Sequence, residues 1–127
     1  MRIVGHGVDI VRCDRIERLW KEHGDHFLKR TYTAAERDYC INSRVTVTRL
    51  SGRFAAKEAV LKVLGTGWRG ELRWTDIETL ADAQGKPEVT LHGATAALAR
   101  ELGIAEIQIS ISHTDEYAIA SAIGVGE

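Results

Sequence analysis

Residues 49–67 read RLSGRFAAKEAVLKVLGTG. The apolar spacing predicts a helix that begins at Thr46 or Thr48 and stops at Gly65. At about 100° per residue, Val47, Leu50, Phe54 and Leu61 fall in one narrow apolar arc. Glu58 lies at the edge of that arc, and Lys62 sits one turn further on, beside it. A carboxylate at the border of a buried face is costly unless a cation meets it. Lys62 is the local partner, in an i,i+4 pair worth roughly 0.2–0.5 kcal/mol. A divalent metal shared with a second carboxylate is the functional alternative. Arg49, Arg53 and Lys57 recur at i, i+4 and i+8, a ridge expected to be a solvated face. Gly65 is a natural left-handed C-cap, and Gly65-Thr66-Gly67 also offers bare backbone N–H groups to a phosphate. By itself the loop is better explained as a cap.

Upstream, Arg2–Val11 predicts a strand. Val4, His6, Val8 and Ile10 share one face; Gly5, Gly7, Asp9 and Val11 share the other. Two glycines inside a strand mark a close approach by another group. The pentapeptide Gly5-His6-Gly7-Val8-Asp9 therefore presents a bare strip ending in a carboxylate. The simple reading is a helix packed tightly on that strip. The functional one makes Asp9 the second metal carboxylate beside Glu58. Two oxygens with open positions left for phosphate and water suit Mg²⁺. Asp14 with Glu17 predicts a capping box for a helix running to about His23, closed by Gly24. Residues 25–31 predict a short helical turn. Thr33 with Glu36 predicts a second capping box, opening a helix to about Asn42.

Downstream, the period changes. Asp76–Asp82 and Glu88–Leu91 predict strands around the turn Ala83-Gln84-Gly85-Lys86-Pro87. Residues 94–102 predict an Ala-rich helix ending at Gly103. Ile107, Ile109 and Ile111 alternate with polar residues in a further strand, and the turn His113-Thr114-Asp115-Glu116 leads to a last one at 117–123. The expected fold is α+β: a mainly antiparallel sheet packed with one long helix and several short ones, forming a single domain over residues 1–127.

The chain has 127 residues, 44% apolar and 28% charged, an ordinary soluble balance. No apolar run is long enough to span a membrane, and the N-terminal residues lack a signal pattern. Cys13 and Cys40 fit neither metal spacing nor a disulfide framework, so a reducing cytoplasm is expected. The net charge of −1 argues against a nucleic-acid binder. It conceals an asymmetry. Residues 1–63 hold 13 Lys and Arg against 8 Asp and Glu, a net of +5, and residues 64–127 hold 4 against 10, a net of −6. Ser112 and His113 point to opposite faces of a strand and cannot form a nucleophile pair. Trp20, Trp68 and Trp74 read as packing or interface residues.

Gly5-x-Gly7-x-Asp9-Ile10-Val11, then Arg15-Ile16-Glu17, then Phe54-x-x-Lys57-Glu58-Ala59-x-x-Lys62-x-x-Gly65-Thr66-Gly67 form a combination that resembles the 4′-phosphopantetheinyl transferase superfamily. The short chain is similar to its holo-acyl carrier protein synthase type. The match spans nearly the whole chain and includes the Gly85-Lys86-Pro87 turn; His6 departs from the pattern, where an apolar residue or Thr is expected. The resemblance implies transfer of the 4′-phosphopantetheine of coenzyme A to a serine of an apo-acyl carrier protein, releasing adenosine 3′,5′-bisphosphate, as in fatty acid biosynthesis. It implies Mg²⁺ on Asp9 and Glu58, with Lys62 stabilising the transferring phosphate or the leaving group. Glu58 or a water beside the metal takes the serine proton, a choice the sequence leaves open. It implies that Gly65, Thr66 and Gly67 lie along the phosphates or the pantetheine arm. Arg53, Gly85, Lys86, Pro87, His113 and Thr114 would surround the adenine and 3′-phosphate. Arg15, on the basic half, would dock the acidic carrier. It also implies a homotrimer with sites between subunits.

Two other classes compete. A non-enzymatic coenzyme A or nucleotide-binding module would keep the glycine loop and the basic ridge, but would need neither Asp9 nor Glu58. A purely structural domain would show no thermal shift with coenzyme A and Mg²⁺.

Overall fold

The computed structural model describes residues 1–68 and 70–127. Strand β1 (Arg2–Arg12) leads into helices α1 (Cys13–His23), α2 (Asp25–Thr31), α3 (Ala34–Ile41) and α4 (Thr46–Leu64). A short 3-10 turn at Trp74–Asp76 precedes β2 (Ile77–Ala81) and β3 (Pro87–Leu91). Helix α5 (Gly93–Glu101) and strands β4 (Glu106–His113) and β5 (Tyr117–Gly126) complete the chain.

The class is α+β, but the expected sheet is divided. β1, β5 and β4 form one antiparallel sheet in that order; β2 and β3 form a separate hairpin. Alternation in β1 follows the sequence. Gly7 and Val11 are buried under α4, whereas His6, Val8 and Ile10 face outward. Opposite them on β5, Ala118, Ala120 and Ala122 are buried and Ile119 is exposed.

Helix α4 occupies the centre. It contacts β1, β4 and β5 on one side and α1, α3 and β2 on the others, so thirteen of its 19 residues are buried and the expected single apolar arc understates its surroundings. Small residues allow this closeness. A Cβ on Gly7 would lie 2.1 Å from the Ala59 carbonyl oxygen and 2.8 Å from Lys62 Cβ; on Gly5 it would lie 2.7 Å from the Val63 carbonyl oxygen. The bare strip of β1 is therefore a helix seat.

Thr33 and Glu36 form the expected capping box: Thr33 N donates to Glu36 Oε1 at 2.9 Å, and Glu36 N donates to Thr33 Oγ1 at 3.2 Å. The box expected at Asp14 does not form. Cys13 N donates to the Glu116 carbonyl at 2.8 Å, which starts α1 directly from the end of β1. Asp14 then lies inside the first turn, held by Arg12 at 3.0 Å, where a carboxylate still suits the helix dipole. Glu17 lies 3.6 Å from Lys21 instead.

The cationic ridge of α4 is a further correction. Lys57 is fully buried. Its ammonium donates to Glu36 Oε1 at 2.7 Å, to the Trp74 carbonyl at 3.0 Å and to the Ile77 carbonyl. Glu36 Oε2 accepts from Thr79 N at 3.0 Å. Arg49 and Arg53 stack over the Tyr39 ring at 4.1 and 4.5 Å. The ridge is sheltered because α3 and β2 bring carbonyls, a carboxylate and a ring to meet each cation.

Candidate active site

The glycine seat decides where the chemistry sits. With α4 pressed against β1, Asp9 on the strand meets Lys62 on the helix: Lys62 Nζ lies 3.5 Å from Asp9 Oδ1 and donates to the Val8 carbonyl at 2.8 Å. Lys62 therefore bonds across to the strand rather than pairing with Glu58 along the helix. Its side chain keeps 56% of its surface exposed, so the ammonium can leave these partners for an anion.

Asp9 and Glu58 are both half-buried. Burial raises the Asp9 pKa above the ordinary aspartate value, opposed by Lys62 and by Arg15. Burial raises Glu58 as well, and the Asp9 charge adds to the rise. Trp68, Arg15 and Lys62 oppose it. Two carboxylates from separate elements thus share one field with a lysine and an arginine. The Arg15 guanidinium lies 5.4 Å from the Phe54 ring centroid, one helical turn before Glu58, so Arg15 stands beside the carboxylates.

Among the described residues, no group of three or more His, Cys, Asp or Glu side chains could hold a metal ion. The donor set is two carboxylates with open positions around them. That set fits Mg²⁺, which keeps several waters and binds substrate phosphate, better than an ion that needs a full protein cage.

The loop after α4 begins with Gly65 in the left-handed region at φ 76°, and Gly67 follows at φ 67°. Gly65 N caps the helix on the Leu61 carbonyl at 3.0 Å. The loop lies at the negative end of the helix dipole, which by itself repels an anion; Lys62 in the last turn supplies the compensating charge.

The other expected residues stand apart from this cluster. Arg53 lies five residues before Glu58, about 140° around α4 and about 7.5 Å along it. His113 pairs with Ala118, which pairs with Val11, so it is two strands and about 10 Å away from β1. The Thr114 hydroxyl is engaged within its own turn, accepting from Glu116 N and Tyr117 N. Gly85, Lys86 and Pro87 lie at the exposed β2–β3 turn, where Asp82 Oδ1 accepts from Gln84 N and Lys86 N at 2.9 Å. Lys86 and Pro87 border a groove of about 580 Å³ between β3, α5 and β4.

Trp68 packs as the sequence predicts, but its closeness to Glu58 was not foreseen. Its ring stacks against Trp74 at 4.2 Å between centroids, and Trp74 stacks on Phe54 at 4.8 Å. Phe54 lying four residues before Glu58, with an aromatic just after the Gly65–Gly67 loop, was the available signal.

The chain as a whole is similar to known proteins. The model of the 4′-phosphopantetheinyl transferase superfamily matches residues 5–122. A holo-[acyl-carrier-protein] synthase from Koribacter versatilis is 45% identical over 121 residues, covering 95% of this chain and 97% of that protein. The crystal structure of the corresponding synthase from Neisseria meningitidis superposes with a TM-score of 0.90 at 36% identity, covering 98% of this chain and 99% of that one. The synthase from Bacillus anthracis, solved in complex with CoA (3′,5′-ADP), superposes with a TM-score of 0.80 at 33% identity and 98% coverage of both chains. The chain belongs to the 4′-phosphopantetheinyl transferase superfamily of enzymes, and within it to the holo-[acyl-carrier-protein] synthase type.

Proposed function

We propose that this enzyme transfers the 4′-phosphopantetheine of coenzyme A to a serine of an apo-acyl carrier protein, with Mg²⁺ as cofactor and adenosine 3′,5′-bisphosphate as the other product. The observation that carries the reading is the Asp9–Glu58–Lys62 cluster, two half-buried carboxylates from separate elements beside one exposed ammonium. Asp9 and Glu58 would hold Mg²⁺, which supplies positive charge against the pyrophosphate. Lys62 exchanges the Val8 carbonyl for a phosphate oxygen and stabilises the charge that develops there. The serine Oγ forms a bond to the β-phosphorus, and the bond from that phosphorus to the bridging oxygen breaks. Glu58 takes the hydroxyl proton. The electron pair leaves with the bisphosphate.

Arg53, Gly85, Lys86, Pro87, His113 and Thr114 are proposed to grip the adenine and 3′-phosphate, and Gly65, Thr66 and Gly67 to line the phosphates or arm. Because Arg53 and His113 stand apart from the carboxylates, the reading includes a homotrimer in which a neighbour completes each site. The open face of the β1–β5–β4 sheet supports this, with Val8, Ile10 and Ile119 exposed. Arg15 and the basic first half would receive an acidic carrier. No helix among the described residues is long and apolar enough to cross a membrane. The free buried thiols Cys13 and Cys40 suit the reducing cytoplasm.

Mass spectrometry of an apo-carrier panel incubated with enzyme, coenzyme A and Mg²⁺ tests the reading. The expected result is a gain of one phosphopantetheine. No gain on any carrier that a known transferase modifies would overturn it, and full gain after chelation would remove the metal.

A further inference from the structure

Beside Glu58 lies a donor whose hydrogen bond is not made. Trp68 Nε1 is buried and makes no hydrogen bond of normal geometry. A buried, unpaired donor costs free energy comparable to a lost hydrogen bond, so its position asks for an explanation. Its neighbouring acceptor is the Glu58 carboxylate, whose pKa burial raises and the indole N–H helps to hold down.

The indole is the less mobile of the two groups. Its face rests on Trp74 at 4.2 Å, and Trp74 rests on Phe54 at 4.8 Å. The backbone beneath Trp74 is pinned in turn, because its carbonyl accepts from the buried Lys57 ammonium at 3.0 Å. Glu58 is half-buried and has three side-chain torsions.

We propose that Trp68 is a positioning residue for Glu58: its indole N–H, held by the aromatic stack, donates to one carboxylate oxygen and leaves the other to face Asp9. This rests on the reading that Asp9 and Glu58 share a divalent cation. A free glutamate must give up rotamers to become a ligand, and one anchored oxygen removes most of that loss before the cation arrives. The stack thereby connects the sealed Lys57–Glu36 side of α4 to its reactive side.

The test replaces Trp68 with benzothienylalanine, which keeps the bicyclic shape and lacks only the N–H, alongside Trp68→Phe. Mn²⁺ affinity in the presence of saturating coenzyme A is read from the spin-resonance signal of free Mn²⁺, with kcat, both KM values and the thermal midpoint measured in parallel. The isostere should weaken Mn²⁺ binding and lower kcat by about tenfold each, the scale of one charge-assisted hydrogen bond. The KM for coenzyme A and the thermal midpoint should stay near those of the parent. Trp68→Phe should match the isostere or exceed it. Parental Mn²⁺ affinity and kcat in the isostere would overturn the role of Trp68 while leaving the cation site standing. A parent enzyme with no Mn²⁺ affinity would overturn the cation site and this inference together.

Discussion

Lys57 and Glu58 are neighbours in sequence and opposites in environment. Lys57 is fully buried, yet each of its three protons has an acceptor, and its partner Glu36 is itself saturated by Thr33 N and Thr79 N. Glu58 is only half-buried, yet it is the less satisfied of the two: burial raises its pKa, and a like charge on Asp9 adds to the rise. Burial depth does not mark the group proposed to react. Unfinished pairing does, because a charge whose partners are complete has nothing left to offer a ligand.

The comparison breaks first on the reactive side. Glu58→Ala should lower transfer by about 10²–10⁴-fold, the range for losing a proton-transfer group, and Asp9→Ala should abolish it by removing the other carboxylate proposed to hold the cation. Circular dichroism and the thermal midpoint should stay close to those of the parent. Unfolding of both variants would mean that the carboxylates are structural. On the sealed side, Lys57→Met should destabilise by about 3–5 kcal/mol, since it leaves Glu36 buried and uncompensated. Urea titration measures this, and a loss below 1 kcal/mol would show that the pair is dispensable.

Lys62→Ala should reduce kcat by about 10–100-fold and change the KM for coenzyme A much less, if its ammonium acts mainly in the transition state. A shift in KM alone would move Lys62 to a binding role.

A finer contrast concerns pH. The folded-state pKa of Glu58 is raised, so ionising it opposes folding. That penalty is absent below the unfolded pKa and grows as pH rises through the folded value. Glu58→Gln should therefore stabilise the metal-free protein slightly at neutral pH, with the advantage fading in acid. Denaturant midpoints at pH 4 and pH 7 would show it, and an advantage larger in acid would contradict the sign. The smallest effect expected is a several-fold rise in carrier KM for Arg15→Ala, shrinking with added salt. Unchanged carrier kinetics would place docking elsewhere.

The placement of Asp9, Glu58 and Lys62 was legible in the sequence because its determinants are local or periodic. Strand alternation places Asp9 with Gly5 and Gly7, and helical spacing places Lys62 one turn after Glu58. The sealed side was not legible, because Lys57 and Glu36 are 21 residues apart and nothing in either segment announces the other. The start of α1 was missed for the same reason: the bond that begins it comes from Glu116, at the far end of the chain. The division of the sheet was hidden because each strand reads alike whether it joins β1 or stands in a separate hairpin. Trp68 was read as packing, which its ring is; only the orientation of its N–H, fixed by tertiary stacking, sets it apart.

Gly7 carries no functional group, yet the 2.1 Å from its missing Cβ to the Ala59 carbonyl oxygen leaves no room for even one methyl group. Every residue other than glycine brings that carbon, so no missense change there preserves the spacing between strand and helix. Counted as a target for mutation, the machinery is wider than its reacting side chains. An alanine at Gly7 would lever Asp9 away from Glu58 and Lys62 while leaving all three intact, silencing the enzyme through a residue with no chemistry of its own.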